Sequence, residues 1–125
     1  MRELDVLLEA FRGSSELVRR PAEVRLKPTA AGVYDSVTEV DAEIERRVIG
    51  AIRSEFPDDA IISEESSPDA EAAERTWAID PIDGTVNLSR GMPMFGMQGV
   101  FMLGGRPKAS AILLPSYGEE YTASD

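Results

Sequence analysis

Apolar residues in the first part of the chain recur at the spacing of amphipathic helices. One stripe predicts a helix over about residues 2–19 that Pro21 ends, and its members are Leu4, Leu7, Leu8, Phe11 and Val18. A second stripe predicts a helix over residues 38–56 that Pro57 stops, and its members are Val40, Ile44, Val48, Ile52 and Phe56. Residues 21–36, which contain prolines and a glycine, indicate an irregular connection or a loose hairpin between the two helices.

Strand-like patterns follow the second helix. Residues 60–63 and 76–79 are short apolar runs, which predict strands. The first strand is expected to deliver Glu64 at its end, and the second is expected to end on Asp80. Residues 66–75 are acidic and predict an exposed loop or a short helix between the two strands.

The remainder of the chain predicts a hairpin. Residues 94–103 and 107–114 flank the turn dipeptide Gly104-Gly105, and residues 117–124 indicate a further strand. Helices followed by a strand-rich half indicate an α+β fold with the helices packed on the sheet. No helix follows these strands, so we expect part of a larger fold whose sheet has one apolar face uncovered. The side chains expected on that face are Met94, Phe95, Met97, Val100, Phe101, Ile112 and Leu113.

Length and composition are typical of a soluble globular protein that forms one ordinary domain or one lobe of something larger. It has 125 residues, of which 42% are hydrophobic and 29% charged, and a formal net charge of −10. No apolar run approaches the roughly 20 residues of a membrane span and the N-terminus lacks a signal-peptide pattern, so we expect a cytoplasmic protein with no membrane contact. The acidic balance argues against nucleic acid as the main partner, because nucleic-acid-binding proteins usually carry a basic face.

The absence of cysteine and histidine excludes several kinds of site. Disulfides, zinc–thiolate centres, cysteine nucleophiles and histidine general bases cannot form within this chain. A metal would have to bind oxygen ligands, which favours Mg²⁺, Mn²⁺ or Ca²⁺. General-base chemistry would fall to a carboxylate, through a hydroxyl or a metal-bound water.

One hexapeptide, residues 80–85, combines groups that suit phosphoryl chemistry. Asp80 and Asp83 flank a proline and can bind a hard cation, while Gly84 and Thr85 open a turn whose backbone N–H groups could meet a phosphate. Glu64, expected at a neighbouring strand end, could converge with them. The combination indicates metal-assisted phosphoryl chemistry.

Each of these residues also has a purely structural interpretation. Asp83-Gly84 is a common turn dipeptide, and Glu64-Glu65 is an ordinary solvated pair when taken alone. Asp41 follows Thr38 at the spacing of a capping box, and Thr85 is placed to cap a short helix over residues 86–90. Capping and catalysis are compatible for both residues.

Four segments together resemble the inositol monophosphatase family of Mg²⁺-dependent, Li⁺-sensitive phosphatases. They are residues 37–41 (VTEVD), residues 56–66 (FPDDAIISEES), residues 77–87 (WAIDPIDGTVN) and Gly91-x-Pro93. The segments occur in the family's order, and the similarity runs from the first helix to the end of the chain. The resemblance implies that residues 1–125 form the N-terminal, metal- and phosphate-binding lobe of a layered αβαβα fold, with helices packed on a mainly antiparallel sheet.

The resemblance assigns metal ligands by position. Glu64 resembles the glutamate that binds the first metal ion and contacts the metal ion of the water nucleophile. Asp80 resembles the aspartate that bridges two ions, Ile82 would supply its backbone carbonyl, and Asp83 would bind the second ion. The implied cofactor is Mg²⁺, with Mn²⁺ as a possible substitute and Li⁺ as an inhibitor.

The resemblance also assigns residues to the substrate and to the attacking water. Glu64 and Ile82 would line the substrate site, and the amides around Asp83, Gly84 and Thr85 would hold the phosphate at a helix N-terminus. Asp41 with Thr85 resembles the pair that orients and deprotonates the water.

This sequence departs from the family pattern in two ways. Val86 stands where a second threonine is common. Relatives are also about twice as long, and their second half carries a further metal-binding aspartate in a Trp-Asp motif and most contacts to the non-phosphate part of the substrate. Trp77 is the only tryptophan here and no Trp-Asp pair exists, so we expect the C-terminal lobe to be absent from this chain.

The implied reaction is hydrolysis of a small phosphate monoester, similar to inositol monophosphate, by metal-activated water. One alternative is a truncated, non-catalytic module that binds a metal ion or a protein. Another, within the superfamily, is a nucleotide 3′-phosphatase or a fructose-1,6-bisphosphatase. The expected partners are a small phosphorylated substrate and either a second copy, as a homodimer, or a missing C-terminal half.

Overall fold

The computed structural model describes residues 1–19, 26–28 and 34–125, which contain three helices and seven strands. The elements in chain order are α1 (Arg2–Ser15), β1 (Leu26–Pro28), β2 (Tyr34–Thr38), α2 (Glu39–Glu55), β3 (Ala60–Ser63), β4 (Arg75–Asp83), α3 (Thr85–Ser89), β5 (Gly96–Leu103), β6 (Arg106–Leu114) and β7 (Glu119–Ser124). The expected α+β class is therefore confirmed. Pro21, the expected terminator of the first helix, lies outside the described residues.

The strands form two sheets. The larger has the order β3-β4-β5-β6-β7, with β3 and β4 parallel and the other neighbours antiparallel. β1 and β2 pair antiparallel, as the loose-hairpin interpretation of this stretch predicted. The predicted mainly antiparallel sheet is thus confirmed, and the parallel pair places the ends of β3 and β4 at one edge.

Two predicted element boundaries differ from the structure. α1 ends at Ser15 rather than near residue 19, because the next residues turn tightly: the Val18 amide bonds the Ser15 carbonyl at 3.2 Å. Val18 nevertheless packs fully into the core, which is why the apolar pattern extends past the helix. Residues 66–74 form turns and irregular chain, as the loop interpretation predicted, whereas β4 begins at Arg75 and continues beyond Asp80 to Asp83.

The helices α1 and α2 cover one face of the larger sheet, with α1 on β5 and β6 and α2 on β4. Trp77 lies at the centre of this core, 4.9 Å from Phe101 and 5.5 Å from Phe56 between ring centroids. Gly99 permits the close approach of α1, because a Cβ there would lie 2.9 Å from a methyl carbon of Leu7. Apolar burial on this face accounts for most of the fold's stabilisation.

The expectation about which apolar side chains are uncovered was wrong in part. The helices bury Phe95, Met97, Phe101 and Leu113, because alternate residues of each strand point to the covered face. The opposite face, called the open face below, carries the side chains of Ala78, Asp80, Gln98, Val100, Ser110, Ile112 and Tyr121. Ile112 is 41% exposed and Tyr121 55%, and Met94 is exposed beside α3, so a mixed apolar and polar surface remains uncovered. Within the described ranges, no helix combines the length and apolar character that crossing a bilayer requires.

Candidate metal and phosphate site

The parallel pairing of β3 and β4 brings Glu64 and Asp80 side by side. Ser63 is in register with Ile79, so Glu64 and Asp80 are the next residues on the two strands. The Glu64 amide donates a hydrogen bond to the Ile79 carbonyl at 3.3 Å, which holds the backbone of Glu64 against β4. The prediction that a strand delivers Glu64 to a neighbouring carboxylate therefore agrees with the geometry.

A β-bulge places Asp80 and Asp83 on the same side of β4. Residues three apart on a regular strand point to opposite faces. Here Asp80 pairs with Gln98 and Asp83 with Gly96, so two residues of β4 oppose one residue of β5 between these pairs. Since Gln98 and Gly96 are two apart and share a face, the bulge turns Asp83 to the side of Asp80.

The bulge also corrects the predicted end of this strand. Pro81 cannot donate a ladder hydrogen bond, and prolines in sheets occur at edges or bulges. Pairing with β5 resumes at Asp83 after the interruption, so β4 continues past the proline. Ile82, 2% exposed, lies in the bulge with its side chain in the core.

The electrostatic environment of Asp80 is unfavourable to its own charge. The pKa of Asp80 is raised from 3.8 to about 7, first by burial and then by hydrogen bonding and charge repulsion from Glu64, with a smaller repulsion from Asp83. The Gln98 amide, across the ladder, favours the carboxylate and lowers the pKa in part. The neighbouring charges of Glu64 and Asp83 thus disfavour ionisation of Asp80.

These residues fit a divalent cation in part. Asp80 Oδ1 is buried with no hydrogen-bond partner among the described residues, and a cation is the partner that would satisfy it and relieve the repulsion from Glu64. In the part of the chain that is described, no three acidic side chains close around a single point. A pair of carboxylates supplemented by water is the coordination that Mg²⁺ commonly accepts in proteins.

The segment after Asp83 depends on Gly84. Gly84 has φ of 90°, and a Cβ there would lie 3.1 Å from the Met94 carbonyl oxygen, so only glycine fits without strain. α3 begins at the next residue, and Gly84 provides no side-chain cap. Asn87 ties α3 to the chain before β5, since its Nδ2 donates to the Met94 carbonyl at 2.7 Å. The amides at this end of α3 are therefore fixed in direction beside Asp83.

Asp41 and Thr85 lie on neighbouring elements. Asp41 is fully buried in the first turn of α2, and Thr85 is the half-buried first residue of α3. β2 runs directly into α2 and lies beside α3, which brings the two helix starts to the same region. Direct pairing of the two side chains stays a prediction.

Sequence reasoning missed Gln98. It opposes Asp80 across the β4–β5 ladder and faces the open side of the sheet. A signal was available, because Gln98 is the one polar side chain in the otherwise apolar or glycine stretch 95–103. Such a residue in a half-buried strand needs a polar partner.

Comparison with known proteins gives consistent results. Residues 3–125 match the family model described as "Inositol monophosphatase family". The chain is 36% identical to "Nus factor SuhB" of Pseudomonas aeruginosa, over 97% of this chain and 46% of that protein. It is 37% identical to "Fructose-1,6-bisphosphatase/inositol-1-monophosphatase" of Thermotoga maritima, over 75% of this chain and 36% of that protein.

Solved structures show the same fold. A Thermotoga maritima IMPase superposes with a TM-score of 0.87 at 32% identity, over 100% of this chain and 49% of the other. An inositol monophosphatase from Anabaena gives a TM-score of 0.79 at 27% identity, over 98% and 44%. The chain spans about half the length of the relatives it matches.

Proposed function

Because the chain belongs to the inositol monophosphatase family, we propose that it forms the metal- and phosphate-binding lobe of a Mg²⁺-dependent phosphatase acting on a small phosphate monoester. The observation that supports this most is the bulge in β4, which turns Asp80 and Asp83 to one side, next to Glu64. Clustering charges in this way costs stability and is expected where a cation is bound.

We assign the metal ligands from this cluster. The carboxylates of Glu64, Asp80 and Asp83 and the backbone carbonyl of Ile82 would be shared between two Mg²⁺ ions, with Mn²⁺ as a substitute and Li⁺ as an inhibitor. Bound Mg²⁺ would supply neutralisation of phosphoryl charge and a lowered pKa for a nearby water. The protein's own contribution is to hold the ligands on rigid strand ends.

The substrate and the attacking water would be held next to this cluster. The amides of Asp83, Gly84 and Thr85 would donate to the phosphate oxygens, in the direction that the turn at Gly84 fixes. Asp41 and Thr85 would orient the water, and the Thr85 hydroxyl would take a proton from this water as it gives its own proton to the Asp41 carboxylate. Glu64 would border the same space.

Removal of the Thr85 hydroxyl tests this role. The test uses a hybrid in which residues 1–125 replace the matching half of the Thermotoga maritima IMPase. In that hybrid Thr85→Val, which keeps the shape of the side chain, should lower kcat by about 10²–10⁴-fold with little change in KM. Thr85→Ser should retain most of the turnover. A loss of less than about threefold for Thr85→Val would leave Thr85 as a helix residue without a part in proton transfer.

We further propose that residues 1–125 act with a second lobe or a second copy that covers the open face. This face surrounds a shallow cavity of about 360 Å³. Exposed apolar side chains concentrated on one surface usually mark an interaction site. The isolated chain is therefore expected to self-associate with rising concentration, measured by light scattering. A monodisperse monomer at millimolar concentration would contradict this expectation.

A non-catalytic binding role is the second candidate. Several relatives carry the name Nus factor, which does not describe a phosphatase, and the same open face could serve a protein partner. The acidic net charge of −10 still argues against direct nucleic-acid binding. If variants of the open face lose the protein's biological function but still bind Mg²⁺, the binding role is favoured. If Glu64→Gln loses that function, catalysis is favoured. The cytoplasmic location and the choice among inositol, sugar and nucleotide phosphates stay predictions.

A further inference from the structure

A buried carboxylate outside the proposed chemistry links α2 to the end of β3. Glu45 is 6% exposed, and its Oε2 accepts a hydrogen bond from the Ser63 hydroxyl at 2.8 Å. Ser63 is itself fully buried. A carboxylate is costly to bury, and an apolar pair of similar volume would pack between a helix and a strand at lower cost.

Both partners stand next to residues of the candidate site. Glu45 lies one helical turn after Asp41 on α2, so the two side chains share a face of the helix. Ser63 directly precedes Glu64 in the chain. The hydrogen bond therefore joins the element that carries Asp41 to the strand end that carries Glu64.

The backbone of Ser63 is fixed as well. Its amide donates to the Ser67 hydroxyl at 3.2 Å, and its carbonyl accepts from the Ser67 amide at 3.0 Å. These bonds close a tight turn around Glu64. Glu45 of α2 holds the Ser63 side chain, and Ser67 holds the Ser63 backbone. The residue before Glu64 is therefore fixed both by α2 and by the turn.

We propose that Glu45 and Ser63 are positioning residues, which fix Glu64 relative to Asp41 and so set the affinity of the metal site. This inference rests on the proposed function for its metal-binding consequence, although the restraint on Glu64 can be measured without metal. Groups that orient metal ligands typically change metal affinity by about 10–100-fold when altered.

Two variants separate positioning from packing. The double variant Glu45→Leu with Ser63→Ala replaces the bond by apolar groups of similar volume, so the chain should still fold. Glu45→Gln keeps an acceptor for Ser63 and should behave as the parent. The control is Asp59→Asn: Asp59 is also buried and accepts from Trp77 Nε1 at 2.7 Å and Arg75 Nε at 2.8 Å, but it lies before β3, at the opposite end from Glu64.

Amide hydrogen exchange at Glu64, relative to that at Phe101, and Mg²⁺ calorimetry are the readouts. We expect the double variant to exchange at Glu64 about tenfold faster and to bind Mg²⁺ about tenfold more weakly. Asp59→Asn should lower the melting temperature and leave both readouts unchanged. Parent-like exchange at Glu64 in the double variant would refute the positioning role. Absence of Mg²⁺ binding in the parent would refute the proposed function instead. Amide hydrogen exchange at Glu64 would then decide by itself whether Glu45 and Ser63 are positioning residues.

Discussion

Replacing Asp80 by asparagine is expected to weaken Mg²⁺ binding by more than about 100-fold and, at the same time, to stabilise the metal-free chain. Asp80 is partly buried beside Glu64 and Asp83, and this raises its pKa from 3.8 to about 7. The folded state therefore holds a proton that the unfolded chain releases, so the parent loses stability as the pH rises between these values. Above pH 7 the asparagine variant avoids that cost, about 1–2 kcal/mol after allowance for solvent screening.

Thermal unfolding and calorimetry at pH 8 test both effects. Each 1 kcal/mol should raise the melting temperature by about 3–5 °C for a chain of this size. Mg²⁺ affinity should fall by more than about 100-fold, beyond what altering a supporting group causes. Asp58→Asn removes the same charge from an exposed position before β3 and should change neither quantity by much. A less stable Asp80→Asn variant, or one that binds Mg²⁺ like the parent, would contradict this account of the site.

The second large effect concerns the turnover of the chain alone. Residues 1–125 span about half of the relatives' length. The family resemblance places a further metal-binding aspartate in the half that residues 1–125 do not span, so a second ion should bind these residues weakly. The leaving group would also lack a wall that positions it and excludes water. Each deficit acts on the transition state, where the loss of a single interaction lowers kcat by about 10²–10³-fold.

Residues 1–125 with Mg²⁺ are therefore expected to show no hydrolysis above that of Glu64→Gln. Suitable substrates are an inositol phosphate, a nucleotide 3′-phosphate and an aryl phosphate. The hybrid with the Thermotoga maritima relative should exceed the chain alone by at least about 10³-fold, and Glu64→Gln should remove that gain. Strong Glu64-dependent hydrolysis by the short chain would show that a second lobe is not required.

The sequence predicted the elements well where the apolar periodicity agreed with the prolines and glycines that end an element. The second helix was expected over residues 38–56 and spans Glu39–Glu55, because one unbroken apolar stripe ends at a proline. The hairpin around Gly104 is confirmed for the same reason: Gly104 and Gly105 have φ of 57° and 75°, which suits a tight turn. Local signals sufficed in both cases.

Features that depend on pairing between strands could not be predicted. The bulge after Asp80 exists because Asp83 regains a partner on β5, and no local pattern contains that register. The Glu45–Ser63 bond joins residues 18 apart whose spacing carries no periodic signal. The open face was misassigned in part because apolar residues occur on both sides of β5, and only the packed helices distinguish Met97 from Val100.

Mn²⁺-induced line broadening in the amide NMR spectrum of the chain tests the metal site most directly. Mn²⁺ takes the same oxygen ligands as Mg²⁺, and its unpaired electrons broaden signals close to the bound ion. Small additions of Mn²⁺ should first broaden the amide signals of Glu64, Asp80 and Asp83, and excess Mg²⁺ should restore these signals. Broadening centred instead on the acidic stretch 69–74, or spread evenly over the surface, would contradict the site proposed for this chain.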